Sequence, residues 1–193
     1  MSYRSLKVNT ASTTTIISTA DAKTHLKVDV SDDDTLIDNL VAAATQSCEI
    51  FTNRYFTDTV VTQYSDKFPE IKLLYKSPVS SITHIKYYNS SDVLTTWDAA
   101  NYILDDSSEP ARVGLAVDAS YPDIADRINA VEVKYTVGYG SSASDVPQAI
   151  QQAILLTVGN WYQNRQEVVT GTIATQLPKS AQYLLEQYKV QIC

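Results

Sequence analysis

Apolar and polar positions along the chain change period twice, and the changes divide it into three stretches. In the first, Ser18 stands three residues ahead of Asp21, a capping-box-like start, and Ala22 and Leu26 follow at helical spacing. That pattern predicts a short helix from about Thr19 to Leu26. Ser31-Asp32-Asp33-Asp34 opens a second helix, along which Leu36, Ile37, Leu40, Val41, Ala44, Cys48 and Phe51 make one apolar stripe at helical period. It is predicted to stop near Asn53-Arg54, roughly six turns on.

From Thr59 to Tyr139 the period falls to two. The runs VVTQYSD, IKLLY, SITHIKYY, NYILDD, ARVGLAV and VEVKYTV are short, β-branched and Tyr-rich. Pro69, Ser77-Pro78, the Asn89–Asp92 run and the Ser107–Pro110 run supply turn chemistry between them. Val131, Val133, Tyr135 and Val137 alternate with Glu132, Lys134 and Thr136, the signature of a strand with one face buried. Gly138-Tyr139-Gly140 ends the stretch and frees the backbone to turn.

The helical period then returns. Asp145 or Ser144 caps a helix with Pro147 in its first turn, and Ile150, Ala153, Ile154, Thr157, Val158, Trp161, Tyr162 and Arg165 share one face. Gly159 inside it costs about 1 kcal/mol relative to Ala and predicts the close approach of another backbone. After a polar loop with Gly171, Leu177-Pro178 starts a last helix whose stripe is Ala181, Leu184, Leu185, Tyr188 and Ile192. The fold class expected is α+β. A small bundle of helices (a short N-terminal helix, a long helix and two C-terminal helices) carries an inserted, mostly antiparallel β subdomain. The expectation is a single domain over 1–193, with N-terminal helices over 18–56, the insertion over 59–140 and C-terminal helices over 145–193. The Ser- and Thr-rich residues before Ile17 read either as an extended arm that orders on a neighbour or as a frayed terminus.

A chain of 193 residues with 44% hydrophobic content can bury one good core, or one core plus a small inserted subdomain. No apolar run approaches the roughly 20 residues of a membrane span, and the N-terminal stretch lacks a secretory apolar core. Synthesis in a cytoplasm is the expectation, with no membrane partner. Net charge is −7, with 15 scattered basic residues against 22 acidic ones. Gripping duplex DNA needs clustered Lys and Arg, so specific nucleic-acid binding is not expected, whereas an acidic wall lets phosphates slide past. The 13 Tyr against 3 Phe and 2 Trp have two readings. Half-wet interfaces favour Tyr, and so do solvent-facing strands.

Candidate chemistry is sparse. There is no G-x-S-x-G nucleophile turn, and Gly140-Ser141-Ser142 lacks the lysine of a phosphate-binding loop. His25 and His84 have no third partner at a useful spacing, and Cys48 and Cys193 show neither metal-ligand nor disulfide-framework spacing. Asp32-Asp33-Asp34 lacks the alternation and glycine of a calcium loop and reads as a cap favoured by the positive helix end. Asp105-Asp106, beside turn residues, reads as solvated. No catalytic residue, metal or cofactor is expected.

Three segments carry a family resemblance. ADAKTHLKVDVSDDDTLIDNLVAAATQSCEIFTNRYF is similar to an opening helix, an acidic cap and a long helix ending before an aromatic. KSPVSSITHIKYYN is similar to a proline-led strand pair. VEVKYTVGYG, DVPQAIQQAILLTVGNWYQNR and LPKSAQYLLEQYK are similar to a strand with a Gly turn, a Pro-capped helix ending in Trp-Tyr-x-x-Arg and a terminal Leu-Pro helix. In that order they resemble the phage gp6-like head–tail connector family, also called adaptor or head-completion proteins, over nearly the whole chain from Ser18. Lys27 stands where an arginine is common, and the loop after Arg165 is rather long. The resemblance implies a non-enzymatic homo-oligomer, generally a dodecameric ring, assembled in the host cytoplasm and residing in the virion neck. It would dock beneath the portal protein, extend the DNA channel without binding DNA specifically, and present a platform for stopper or tail-completion proteins. Leu184, Leu185, Tyr188 and Ile192 become portal-contact candidates, Trp161 and Tyr162 anchors of the helical core or the subunit seam, and Arg165 a partner for a neighbour's carboxylate. The alternative is a small-ligand or peptide-binding module using the Tyr-rich sheet. An enzyme comes third.

Overall fold

The computed structural model describes residues 5–164 and 177–190. They group into two compact units, one of residues 13–53, 140–164 and 177–189, the other of residues 5–12, 54–139 and 190.

The first unit is helical. Helix α1 spans Thr19–Leu26, and the Ser18 side chain accepts the Asp21 N–H at 3.1 Å as the sequence predicted. Its stop comes from Lys27 in the left-handed region at φ 58°, whose N–H reaches back to the carbonyls of Lys23 and Thr24. Helix α2 spans Asp34–Thr52 and ends the same way at Asn53, φ 57°. Helix α3 spans Gln148–Gln163, with Pro147 at its N-cap, and α4 spans Lys179–Glu186, with Pro178 at its N-cap. Both prolines give up an N–H that a helix start leaves unpaired anyway. Ile37, Val41, Ala44 and Cys48 of α2 meet the buried Ile150, Ala153, Ile154 and Val158 of α3, and Ala181 and Leu185 of α4 pack on α3. Each large aliphatic side chain so buried contributes about 1.5–3 kcal/mol. Gly159 does face a close neighbour, though the neighbour is a side chain. A Cβ there would stand 3.4 Å from Nε2 of His25.

The second unit is built on strands β1 Ser5–Thr10, β2 Thr59–Ser65, β3 Val79–Tyr88, β4 Leu94–Trp97, β5 Tyr102–Asp105, β6 Arg112–Leu115 and β7 Val131–Val137. Five of them form one antiparallel sheet in the order β1-β2-β7-β3-β4, and β5 and β6 pair separately. Part of the segment before Ile17, left open between an arm and a frayed end, is β1, a sheet edge in which Val8 pairs with Val61. IKLLY is not a strand: residues 68–72 form a 3-10 turn, and only Leu73 bridges to Arg112. Ile71 and Leu74 are buried all the same, closing the core over the sheet together with Phe68, while Leu73 stays exposed. The core combines Val61, Val79, Ile85, Val131, Val133, Tyr135 and Val137 with a ring cluster in which Phe68 lies 4.7 Å from Trp97, 5.3 Å from Tyr121 and 5.6 Å from Tyr87. Gly138 turns the chain out of β7 at φ 136°, where a Cβ would lie 2.5 Å from the carbonyl carbon of Thr57. Only glycine fits there.

Candidate interface surfaces

In the helical unit α3 brings Trp161 and Tyr162 to its C-terminal end, both half-buried. The Tyr162 hydroxyl donates to Oδ2 of Asp33 at 2.6 Å, so this pair ties the end of α3 to the start of α2. Asp33 therefore contributes less as a cap, making no side-chain capping bond, than as the acceptor for a tyrosine 129 residues away. On α4, Leu185 is fully buried with Ala181, whereas Leu184 is half-buried; Tyr188, which the sequence pattern put on the same stripe, lies in the turn just past the end of the helix and is also half-buried. Tyr183, off the apolar stripe, is 85% exposed, the most open aromatic among the described residues. Sequence reasoning passed over it, although an aromatic on the polar side of a stripe is the signal that would have found it. Lys189, beyond α4, lays its ammonium 4.9 Å from the Phe51 ring centre. Arg165 and Ile192 lie outside the described residues.

In the sheet unit the tyrosines go chiefly to packing. Tyr135 is fully buried, and Tyr55, Tyr87, Tyr102 and Tyr121 pack against the core. Burial of Tyr135 pushes its hydroxyl's pKa far above the ordinary value, and the hydroxyl donates to the Tyr75 carbonyl at 2.6 Å. Gln63, 1% exposed, lies beside it, donating to Leu73 O and accepting from Tyr75 N–H, each at 3.0 Å. Among the described residues, the polar face of the five-stranded sheet keeps only Tyr64 and Tyr88 as aromatics, the latter with the Arg127 guanidinium 3.8 Å from its ring centre. An aromatic binding face, as the alternative reading required, is thus not what the sheet presents. The register places Lys7, Thr62, Lys134 and His84 side by side on this face, with Tyr64, Glu132 and Lys86 in the next row. His84 lies 3.4 Å from Glu132, and partial burial, helped by Lys86, lowers its pKa below the ordinary value against the pull of that carboxylate.

The remaining polar groups serve structure. Arg54, 4% exposed, forms a bidentate pair with Glu109 (2.7 Å for one arm), which holds that carboxyl below its usual range. Asp105 is not simply solvated. Bonds from Ser107, Ser108 and Arg112 hold its carboxyl well below the carboxylate range and clamp the β5–β6 turn. In the Gly140-Ser141-Ser142 loop, Oδ2 of Asp145 accepts the Ser142 N–H at 2.9 Å and would lie 2.2 Å from a Cβ on Gly140. A carboxylate at that mouth repels phosphate. The Cys48 thiol, buried beside Thr157, is pushed up to about 12 and is held as an unreactive thiol. Among the described residues no three His, Cys, Asp or Glu side chains converge as a metal site, and no helix is long and apolar enough to cross a membrane.

A family model described as head completion protein matches residues 15–191. Among solved structures, a chain in the virion of a native gene transfer agent particle is similar at 22% identity and TM-score 0.77, covering 97% of this chain and 96% of that one. A chain in the neck of the empty particle, computed with C6 symmetry, has the same identity and TM-score over 98% and 97% of the two chains. One in the neck of the native particle, computed with C12 symmetry, aligns at 21% identity and TM-score 0.73, again over 98% and 97%. No curated protein matches the chain.

Proposed function

Since the chain belongs to the head completion protein family, we propose that it acts as the head–tail connector in the neck of a tailed phage-like particle, as a ring of twelve subunits beneath the portal. The observation that carries this reading is the family match from residue 15 to residue 191, which takes in both compact units apart from β1 and the residues just after it. The C12 symmetry applied to a similar neck supports the ring number. The role is mechanical: the ring extends the DNA channel and offers a platform to stopper or tail-completion proteins.

In this role both compact units belong to one adaptor domain, the sheet unit being an insertion into the helical one. Leu184 and the open Tyr183 of α4, with Tyr188 in the turn after it, form the portal-facing patch, and Ile192 follows in sequence. Leu185 supports that patch from beneath. Trp161 and Tyr162 brace the seam between subunits, Tyr162 being fixed in place by its bond to Asp33 of its own chain, and Arg165 pairs with a neighbour's carboxylate. The acidic balance, −7 over the chain, suits a conduit through which DNA passes without being held.

The test is genetic and visual. Particles assembled without this chain should accumulate as DNA-filled or leaking heads with no tails, and imaging of complete necks should place twelve copies next to the portal. Normally tailed, infectious particles made without the chain would refute the proposal.

A further inference from the structure

The polar face of the five-stranded sheet has a charge sign opposite to that of the whole chain. Lys7 on β1, Lys134 on β7 and Lys86 on β3 stand on it, and none of the three forms an ion pair among the described residues. The one acid among them, Glu132, lies 3.4 Å from His84 and leaves three lysines against a single carboxylate. At one end of the face Arg127 stacks on Tyr88 and pairs with Asp92 at 2.8 Å. A chain of net charge −7 therefore presents a flat, cationic sheet face. In the helical unit the turn from α1 into α2 has the opposite character, with Asp29, Asp32, Asp33, Asp34 and Asp38 within ten residues. Lys23 neutralises Asp34 at 2.7 Å and Tyr162 takes Asp33, while Asp29 and Asp32 stand exposed with no side-chain hydrogen bond or ion pair among the described residues.

We infer that the cationic sheet face of one copy docks on the acidic α1–α2 edge of a second copy, head to tail. The inference rests on the ring reading above. Two unlike, complementary patches on one chain make a heterologous contact, which propagates from copy to copy and closes into a ring when the rotation allows. A self-complementary patch would stop at a dimer. The occupant is a protein rather than DNA because Glu132 sits in the middle of the face, between Lys86 and Tyr64 across the strands. A phosphate backbone laid there would meet that carboxylate, whereas a protein edge can place a donor against it.

The experiment uses the full chain and two double variants that neutralise one face each: Lys86→Gln with Lys134→Gln, and Asp29→Asn with Asp32→Asn. All four positions are exposed or half-buried, so circular dichroism should show the wild-type fold. In sedimentation velocity at low ionic strength, the wild type should associate and dissociate as salt is raised. Each variant alone should associate about tenfold more weakly, as expected for losing two surface ion pairs. Mixed one to one, the variants retain a single intact pair of faces, so the mixture should form heterodimers and nothing larger. A wild type that stays monomeric at millimolar concentration, or variants that associate as the wild type does, would overturn the inference. So would salt-sensitive binding of a DNA duplex that only the lysine variant loses, since the face would then be a phosphate site. None of these results bears on whether the chain occupies the neck, which the imaging of necks decides separately.

Discussion

The helical unit and the sheet unit both bury polar groups, and the larger ones of the sheet unit are satisfied by a different route from the hydroxyls of the helices. In the helices the Thr52 and Thr157 hydroxyls, both fully buried, donate at 2.8 Å to the carbonyls of Cys48 and Ala153. Each partner lies four residues back, so the bond exists as soon as the helix does. In the sheet unit, Tyr135 reaches back 60 residues to Tyr75, Gln63 joins the 73–75 segment to β2, and Arg54 crosses 55 residues to Glu109. Those bonds exist only when the unit is assembled, and removing one partner strands the others. Buried polarity is cheap where it is local and exacting where it is not.

The first way to break the contrast is to attack packing rather than polarity. Phe68 touches Tyr87, Trp97 and Tyr121 at once, so Phe68→Ala should cost the sheet unit about 3–5 kcal/mol in urea unfolding. A loss below about 1 kcal/mol would mean that the ring cluster collapses around the gap and that Phe68 does not hold the core together.

Next comes Gln63→Leu, which keeps the volume and removes the amide. Leu73 C=O and Tyr75 N–H would be left without their bonds in a buried site, and a loss of about 3 kcal/mol is expected from two stranded groups. Denaturant midpoints of this variant beside Phe68→Ala measure polarity against packing within one unit.

Glu109→Gln probes the Arg54 pair through pH. The folded state holds the Glu109 carboxyl below its ordinary value of 4.5, so its contribution is full above that pH and is lost as pH falls through the lower folded value. Glu109 is half exposed, which limits the expected loss to about 1–2 kcal/mol at neutral pH. The wild-type advantage should shrink as the solution is acidified below 4.5. A gap that stays constant down to strong acid would show that packing, and not charge, is what the variant disturbs.

The same division explains what could be read from the sequence. Helix α1 came out residue for residue, and α2 and β7 closely, because Ser18, Asn53 and the strict alternation of 131–137 are local signals. IKLLY looked like a strand because Ile71 and Leu74 are buried and apolar, yet what buries them is a 3-10 turn lying on the sheet. Strand β4 and the division into two sheets were not legible, since pairing partners are chosen across long separations. Of the candidate surface residues, Trp161, Tyr162 and Leu184 stand on helices as the period predicts, Tyr188 falls past the end of α4, and the contact of Tyr162 with Asp33 spans 129 residues and leaves no periodic trace. The cationic sheet face was hidden for a related reason. Lys7, Lys86 and Lys134 are far apart in sequence and meet only through register.

The smallest effect is the most discriminating. Thr157→Val deletes a buried hydroxyl whose acceptor, Ala153 O, lies on the preceding turn of the same helix, so less than about 0.5 kcal/mol should be lost. The neighbouring thiol supplies a readout confined to the helical unit. Cys48 is buried, its pKa pushed up to about 12, and Thr157 is the group that favours its thiolate. With Cys193→Ser removing the other of the two cysteines, labelling of Cys48 reports openings of α2 against α3. Substituting Val raises the thiol's pKa further in the closed state, which is already unreactive, so the labelling rate should rise no more than about twofold, matching the small loss of stability. A rise of a hundredfold or more, equivalent to about 3 kcal/mol, would mean that this hydroxyl is as indispensable as the Gln63 amide, and the distinction between local and long-range polar burial would fail in the unit where it is drawn most sharply.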